Sequence, residues 1–201
     1  PITEDTAQAP INPYGATKLV VERMLADCAA ANALCYVALR YFNAAGADSD
    51  AEIGEDHTPE THLRPLAIEA ALGSRGGLEV LGLDYDTPDG TCIRDYIHVA
   101  DLCEAHWLAL ESLMRNDPSQ AYNLGNGQGY SVREVIDTAQ TITGRKIAVR
   151  HAPRRPGDPA RLVADSRLAQ EMLGWRPRFG DLGVIIEHAW RWELDYFGAT
   201  A

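Results

Sequence analysis

The feature that most limits the fold is the run LCYVALRYF at residues 34–42, which is apolar almost throughout and follows a helical pattern. A run of β-branched and aromatic residues without alternation is typical of a strand buried on both faces of a sheet. The preceding segment, residues 11–32, carries apolar residues at close to helical spacing. Further strand patterns (LEVLG, AYNLG, KIAVRH) alternate with helix patterns along the chain. This alternation predicts an α/β protein with parallel strands.

Local signals predict where several helices end. Gly73 stops the helix in THLRPLAIEAALG. In SVREVIDTAQTITG, Ser131 and Glu134 form a capping box at the start of a helix, and Gly144 stops that helix. VADLCEAHWLALESLMRN is a strongly amphipathic helix, and two further helices are predicted in DSRLAQEMLG and from about Asp181 onward. Residues 43–60 and 152–161 are predicted loops.

The composition excludes some partners. A net charge of −11 argues against nucleic acid and anionic membranes, which require a clustered basic face. It leaves room for a small anionic ligand, which needs only two or three well-placed arginines. No apolar run reaches the ~18–20 residues that span a bilayer. The given residues show no charged-then-apolar leader, so no signal peptide is visible in them. The opening PITEDTAQAP reads as an internal loop, so we expect the chain to be the C-terminal part of a longer protein.

Cysteine, histidine and tryptophan give no sign of a metal or redox site. The cysteines show no C-x-x-C spacing, which predicts reduced core thiols in a cytoplasmic protein. The histidines lack ligand spacing, so no metal is predicted. The tryptophans fall on helices or at helix ends, where packing is their expected role. The cysteines and tryptophans concerned are Cys28, Cys35, Cys92 and Cys103, and Trp107, Trp175, Trp190 and Trp192.

The turn in YNLGNGQGYSVREV resembles a dinucleotide-binding loop, because Gly125, Gly127 and Gly129 lie between a strand and a helix. Its spacing is G-x-G-x-G rather than G-x-G-x-x-G, and no acidic residue ends the following strand to hold an adenosine ribose. We therefore interpret it as a plain strand–helix turn. A dinucleotide fingerprint is expected upstream of Pro1.

The stretch NPYGATKLVVERML places Lys18, one of two lysines in the chain, four residues after Tyr14. Residues four apart share a helix face. An ammonium beside a phenol favours the phenolate, so such a tyrosine can act as a base well below the reference pKa of about 10. The same lysine can donate to the ribose hydroxyls of a nucleotide. The spacing alone also fits a cation beside a ring on a solvated face.

Several motifs together resemble a known family. They are the Y-x-x-x-K helix followed by a strand ending RYFN, then GEDHTPETHLRP, DYDTPDGTCIRDYIHVADL, YNLGNG and APRRPGDPARLVADSRLAQEMLGW. This set resembles the extended short-chain dehydrogenase/reductase superfamily and, within it, the NAD-dependent epimerase/dehydratase family, with the UDP-hexose 4-epimerases the most similar group. Y-x-x-x-K indicates only the superfamily, whereas DGTCIRDYIHV with PRRPGD is specific to the epimerases.

The resemblance implies the C-terminal part of a Rossmann-type doubly wound parallel sheet plus a smaller α/β substrate-binding domain, with the N-terminal dinucleotide-binding strands missing. Residues 1–44 would end the NAD-binding domain, and 45–201 would mainly bind the nucleotide sugar, with about 95–124 returning to the Rossmann domain. It implies NAD-dependent 4-epimerisation of UDP-glucose and UDP-galactose through a 4-keto sugar, in a homodimer. The isolated 201-residue chain is expected to be inactive and prone to aggregate.

The same resemblance assigns roles at the reacting end of the site. Tyr14 would take the proton from the sugar 4-hydroxyl while C4 gives hydride to NAD. Lys18 would tune this base and bind the nicotinamide ribose. Phe42 would lie near the nicotinamide, and Asn43 would contact the substrate.

The arginines would solve the problem of binding a diphosphate to an acidic protein, which must concentrate cations locally. By resemblance Arg94 and Arg155 would grip the diphosphate, with Asp158 on nucleoside or sugar hydroxyls. For each arginine the alternative is a surface salt bridge, and for Arg154 we favour that alternative.

The uridine pocket would be lined by Leu63, Leu81 and Tyr96, with His62 beside them. Leu162 would line the 2-substituent of the sugar, and its size leaves activity on the UDP-N-acetylhexosamines open as a hypothesis. Other possibilities are a UDP-pentose 4-epimerase, a UDP-glucuronate decarboxylase, a non-catalytic nucleotide-sugar-binding module and a purely structural domain.

Overall fold

The computed structural model describes residues 1–32, 34–57, 62–73 and 75–198. These residues form helices alternating with short strands. In chain order they are α1 (Pro13–Asn32), β1 (Val37–Tyr41), β2 (Asn43–Ala45), α2 (Leu63–Leu72), β3 (Leu78–Leu81), β4 (Ile93–Arg94), β5 (Tyr96–His98), α3 (Val99–Met114), β6 (Gln120–Leu124), β7 (Tyr130–Ser131), α4 (Val132–Thr143), β8 (Val149–Ala152), β9 (Arg161–Leu162), α5 (Arg167–Met172) and α6 (Leu182–Phe197).

Most strand pairs are parallel, as predicted. β1 pairs with β6, with Val37 opposite Gln120 and Tyr41 opposite Leu124. β2 pairs with β5 and β3 pairs with β8, both in parallel. β4 is the centre of a three-stranded sheet, antiparallel to β7 and parallel to β9. The predicted α/β class is confirmed.

The apolar core lies in two clusters. One packs α2, α4 and α6 over β3, with Ile68, Ile185 and Trp190 among its buried members. The other packs α3 and α5 against β5 and β6 around the fully buried Trp175, with β1 at its margin. The predicted domain division (1–44, and 45–201 with a return at about 95–124) stays a prediction.

The predicted helix ends are confirmed because their signals are local. Gly73 and Gly144 both adopt the left-handed conformation that suits glycine after a helix, with φ of 81° and 67°. The Ser131 side chain accepts a hydrogen bond from the Glu134 backbone N–H, and the Glu134 carboxylate accepts one from the Ser131 N–H. This is the predicted capping box.

Several predictions about burial, and one about secondary structure, are wrong. β1 is half-buried rather than buried on both faces, because β6 is its one strand partner among the described residues. Trp107 is 61% exposed, whereas the other three tryptophans pack inside as predicted. Of the four free cysteines Cys92 alone is buried, so the expectation of core thiols fails for the other three. Residues 43–45, predicted as loop, form β2.

Within the described residues, no helix combines the length and the apolar character needed to cross a lipid bilayer.

Candidate functional site

Tyr14 and Lys18 meet on the first turns of α1. The Asn12 side chain caps this helix by accepting the Gly15 N–H at 2.8 Å, and Pro13 occupies the first helical position. Lys18 follows Tyr14 by one turn, and its Nζ lies 5.1 Å from the centroid of the Tyr14 ring. The tyrosine side chain is 73% exposed. The predicted pairing of phenol and ammonium is therefore present.

An ion pair joins α1 to the end of β1. Arg40 Nε donates to Glu22 Oε1 at 2.9 Å, and Arg40 Nη2 donates to Glu22 Oε2 at 2.5 Å. Arg40 Nη1 also donates to the backbone oxygen of Glu4. These hydrogen bonds lower the pKa of the Glu22 carboxyl and raise the pKa of the Arg40 guanidinium. Sequence reasoning missed this pair, because its residues lie 18 positions apart.

A cavity of about 1260 Å³ opens beside α1 and the carboxyl end of β1. This exceeds the ~300–1,000 Å³ usual for small-molecule pockets, so a large ligand or two ligands can enter. Its lining includes most of the predicted site residues, namely Tyr14, Phe42, Asn43, His62, Leu63, Leu81, Arg94, Tyr96, Arg155 and Asp158. The lining given by the described residues does not include Lys18 or Leu162. Leu162 is half-buried on β9 opposite Arg94.

One part of the cavity lining, here called the helix wall, consists of Tyr14, Phe42 and Asn43, and Lys18 lies over the Tyr14 ring. Phe42 and Asn43 directly follow β1, and ligands of open α/β sheets bind at the carboxyl ends of strands. The Asn43 side-chain amide donates to the backbone oxygen of Asp95 at 2.8 Å, which fixes its position.

Another part of the lining, here called the arginine wall, consists of Arg94, Arg155 and Asp158. Arg94 stands on β4, is 12% exposed at its side chain, and contacts Asp158 with Nη2 2.5 Å from Oδ1. Two guanidinium groups with one carboxylate suit an anionic ligand that also carries hydroxyl groups.

Arg154, the neighbour of Arg155, is turned away from this wall. Its Nε lies 2.6 Å from Asp84 Oδ1, and its guanidinium stacks on the Tyr85 ring at 4.1 Å. The surface ion pair favoured for this residue is therefore present.

The arginine wall rests on a buried carboxylate that sequence reasoning missed. Asp95 accepts backbone N–H groups from Asn126 at 2.8 Å, Ala164 at 3.0 Å and Gly127 at 3.2 Å. Burial raises the pKa of Asp95, and these three hydrogen bonds act in the opposite direction. No sequence signal identifies this role, because the three donors lie 31 to 69 residues further along the chain.

The same contacts explain the glycine turn. A Cβ at Gly125 would stand 2.4 Å from Asp95 Oδ2 and 2.5 Å from the Ala164 Cβ, so only glycine fits. The N–H groups of Asn126 and Gly127 are already bonded to Asp95 and do not face a phosphate. The interpretation of residues 125–129 as a structural turn fits this geometry.

Burial also sets the ionisation of two further cavity residues. The Tyr96 hydroxyl and the Cys92 thiol both have their pKa raised, chiefly because burial penalises the charged form. Both therefore stay neutral at physiological pH and act as packing or hydrogen-bonding groups.

The described residues fit one half of a dinucleotide such as NAD. The helix wall places a phenol, an ammonium and the Phe42 ring together, which suits a nicotinamide and its ribose. The described glycine turn does not serve the pyrophosphate, because Asp95 occupies its amides. Tyr14, Lys18 and Phe42 are thus the residues here that would hold the cofactor.

Comparisons with known proteins agree with this geometry. Residues 1–125 match the model of the NAD dependent epimerase/dehydratase family. The chain is 52% identical over 196 residues to a UDP-glucose 4-epimerase of Halalkalibacterium halodurans, covering 98% of this chain and 59% of that protein. The chain thus spans about three-fifths of the length of the curated relatives it matches.

Solved structures agree in fold. One is UDP-glucose 4-epimerase from Brucella ovis in complex with NAD, at 55% identity and a TM-score of 0.93, covering 100% of this chain and 60% of that one. Another is UDP-glucose 4-epimerase from Stenotrophomonas maltophila with NAD and formylated UDP-arabinopyranose, at 43% identity and 0.94, with the same coverage. The predicted Rossmann-type relationship is confirmed, and the chain belongs to the NAD dependent epimerase/dehydratase family.

Proposed function

We propose that the chain forms the base-bearing and substrate-binding part of an NAD-dependent 4-epimerase that interconverts UDP-glucose and UDP-galactose in nucleotide-sugar metabolism. The observation that carries this proposal is that Tyr14, whose ring Lys18 contacts, borders the same cavity as the two arginines of the arginine wall. The relatives named UDP-glucose 4-epimerase, and the NAD and UDP-sugar bound in solved relatives, support it.

In this proposal Tyr14 is the general base. Its oxygen accepts the proton of the sugar 4-hydroxyl and returns it at the end of the reaction. NAD, which Tyr14, Lys18 and Phe42 would hold, would supply the hydride acceptor and donor for C4 of the sugar. The Lys18 ammonium favours negative charge on the phenol oxygen as the proton arrives and leaves.

Phe42 and Asn43 define where the reacting groups lie. Asn43 is held by the Asp95 backbone oxygen, so its side chain offers a fixed polar contact for the sugar. Phe42 adds an apolar ring to the lining of the cavity that Tyr14 borders. Fixed contacts of this kind align the reacting atoms before the chemical step.

Arg94 and Arg155 bind the diphosphate, and Asp158 serves hydroxyl groups while orienting Arg94. Uridine lies against Leu63, Leu81 and Tyr96, with His62 at the margin. Because these anchors hold the UDP part of the substrate rather than the hexose ring, the sugar can turn over while UDP stays bound. The role of Leu162 beside the sugar 2-substituent stays a prediction.

We also propose that the full-length protein is a cytoplasmic homodimer assembled through α1. What supports the assembly is the exposure of Val20, Val21 and Met24 on that helix.

The test is an interconversion assay on the natural full-length protein. UDP-glucose and UDP-galactose should interconvert to the same equilibrium mixture from either side, and purified protein should carry NAD. Turnover of a UDP-pentose pair alone would redirect the proposal to that substrate. Binding of UDP-sugars without any turnover would leave the non-catalytic binding module in its place.

A further inference from the structure

Tyr14, Lys18 and Glu22 stand at successive intervals of four residues on α1. Side chains four apart on a helix lie about 5–6 Å apart at Cβ, so Lys18 can reach either neighbour. If the Glu22 carboxylate had no other partner, it would compete with the Tyr14 phenol for the ammonium of Lys18, the one lysine on this helix.

Arg40 forms an ion pair with the Glu22 carboxylate. Its Nε and Nη2 contact both oxygens of Glu22, and both side chains are only 24% exposed. Gln8 Nε2 adds a hydrogen bond to Glu22 Oε2 at 3.2 Å. Lys18 meanwhile lies over the Tyr14 ring. Bidentate pairs between arginine and a carboxylate are both stronger and more directional than a lysine pair.

We propose that Arg40 is a positioning residue, which engages Glu22 and thereby leaves the Lys18 ammonium to Tyr14. This rests on the proposed function only in giving Tyr14 the role of base; the placement of Lys18 can be tested without turnover.

Other charged groups face the pair and the cavity. Glu4 and Tyr36 face Arg40. Asp48, Glu55, His62, Glu79, Arg94, Arg155 and Asp158 line the cavity that Tyr14 borders. All of them are identical in the variants below, so a difference between variants reports on Glu22, Arg40 and Lys18.

The first experiment observes Lys18 directly in the natural full-length protein. Lysines labelled with ¹³C at Cε give NMR signals, and the Lys18 signal is assigned with Lys18→Arg. Because Lys18 lies over the Tyr14 ring, its protons should carry a ring-current shift, which Tyr14→Leu should abolish. Arg40→Gln should remove this shift, whereas Glu22→Gln and the double variant Arg40→Gln/Glu22→Gln should retain it. Arg40→Lys, which keeps a cation for Glu22, should retain most of it.

The second experiment follows the pH profile of turnover. Arg40→Gln should move the acidic limb of kcat to higher pH by about half a unit, a modest shift because the site is exposed. The double variant should return the limb to its wild-type position despite having lost the ion pair. Arg115→Gln, which breaks the exposed Arg115–Asp117 pair away from the cavity, is the matched control and should leave the profile unchanged.

A merely structural ion pair would give a different pattern, with the double variant as impaired as Arg40→Gln. That result, or an unchanged Lys18 shift in Arg40→Gln, would overturn the proposal. If the NMR pattern is as expected but the wild-type protein turns over no UDP-sugar, the placement by Arg40 stands and the proposed function fails.

Discussion

The two walls of the cavity are built by different means. Arg94 of the arginine wall lies on β4, and the adjoining Asp95 is buried and accepts hydrogen bonds from three backbone N–H groups of distant segments. Tyr14 of the helix wall and Lys18 lie on α1, none of whose residues is buried in the part of the chain that the structure describes. Polar contacts, chiefly Arg40 with Glu22, tie that helix to the sheet. Within the part of the chain that the structure describes, the binding side is preset by buried contacts, whereas the reacting side is joined to the sheet by a few polar contacts.

The largest expected effect is a fall in kcat when the helix wall is changed, without a loss of stability. Tyr14→Phe should lower kcat about 10²–10⁴-fold, because it removes the proposed base. It should leave the free energy of unfolding within about 0.5 kcal/mol, because the side chain is mostly exposed. Steady-state kinetics and urea denaturation measure the two quantities. Tyr196→Phe, at an exposed tyrosine on α6, is the control that should keep its activity.

The next largest effect is a loss of stability when Asp95, the carboxylate beneath the arginine wall, is changed. Asp95→Asn should lower the free energy of unfolding by about 2–3 kcal/mol, because an NH₂ group replaces one acceptor facing buried N–H donors. Urea denaturation measures it. Asp137→Asn on the exposed face of α4 should change stability by less than about 0.5 kcal/mol. Equal stabilities for Asp95→Asn and wild type would refute the claim that this wall is preset.

A matched pair of neighbours tests which arginine binds the diphosphate. Arg155→Gln should raise KM about 10–100-fold, which corresponds to losing a charge-assisted hydrogen bond of ~1.5–3 kcal/mol. Arg154→Gln should change KM little, because that residue is engaged with Asp84 and Tyr85 outside the cavity. If Arg154→Gln raised KM more than Arg155→Gln did, Arg154 rather than Arg155 would be the residue that binds the diphosphate.

The smallest effect concerns the tie between α1 and the sheet. Hydrogen bonds from Arg40 lower the pKa of folded Glu22 below its unfolded value of about 4.5, so the pair stabilises the protein above that pH. This contribution is lost as the pH falls through the folded pKa. Glu22→Gln should therefore cost less than about 1 kcal/mol at pH 7 and nothing in strong acid. A cost independent of pH, in denaturation series across this range, would contradict the assignment.

What could be predicted from the sequence was local. The capping box at Ser131, the stop at Gly144 and the Tyr14–Lys18 pairing each depend on residues within four positions, and all three are present. The family motifs also selected residues that line one cavity, although they come from distant segments. Lys18 and Leu162 are the exceptions.

What could not be predicted depends on contacts across the fold. No neighbouring residue in the sequence indicates the roles of Asp95 and Arg40. Their hydrogen-bond partners come from distant segments and can be identified only in the folded chain. β2, β4, β7 and β9 are too short to carry a periodic pattern. Trp107 was expected inside because most tryptophans pack, but it faces outward on α3.

The most direct test of separate binding and reacting walls is UDP affinity, measured by titration calorimetry on the full-length protein with Tyr14→Phe and Arg155→Gln. Tyr14→Phe should bind UDP as tightly as the wild type, and Arg155→Gln at least about 10-fold more weakly. Equal losses in both variants, or wild-type affinity in Arg155→Gln, would contradict the division of the cavity into a wall that anchors UDP and a wall that reacts.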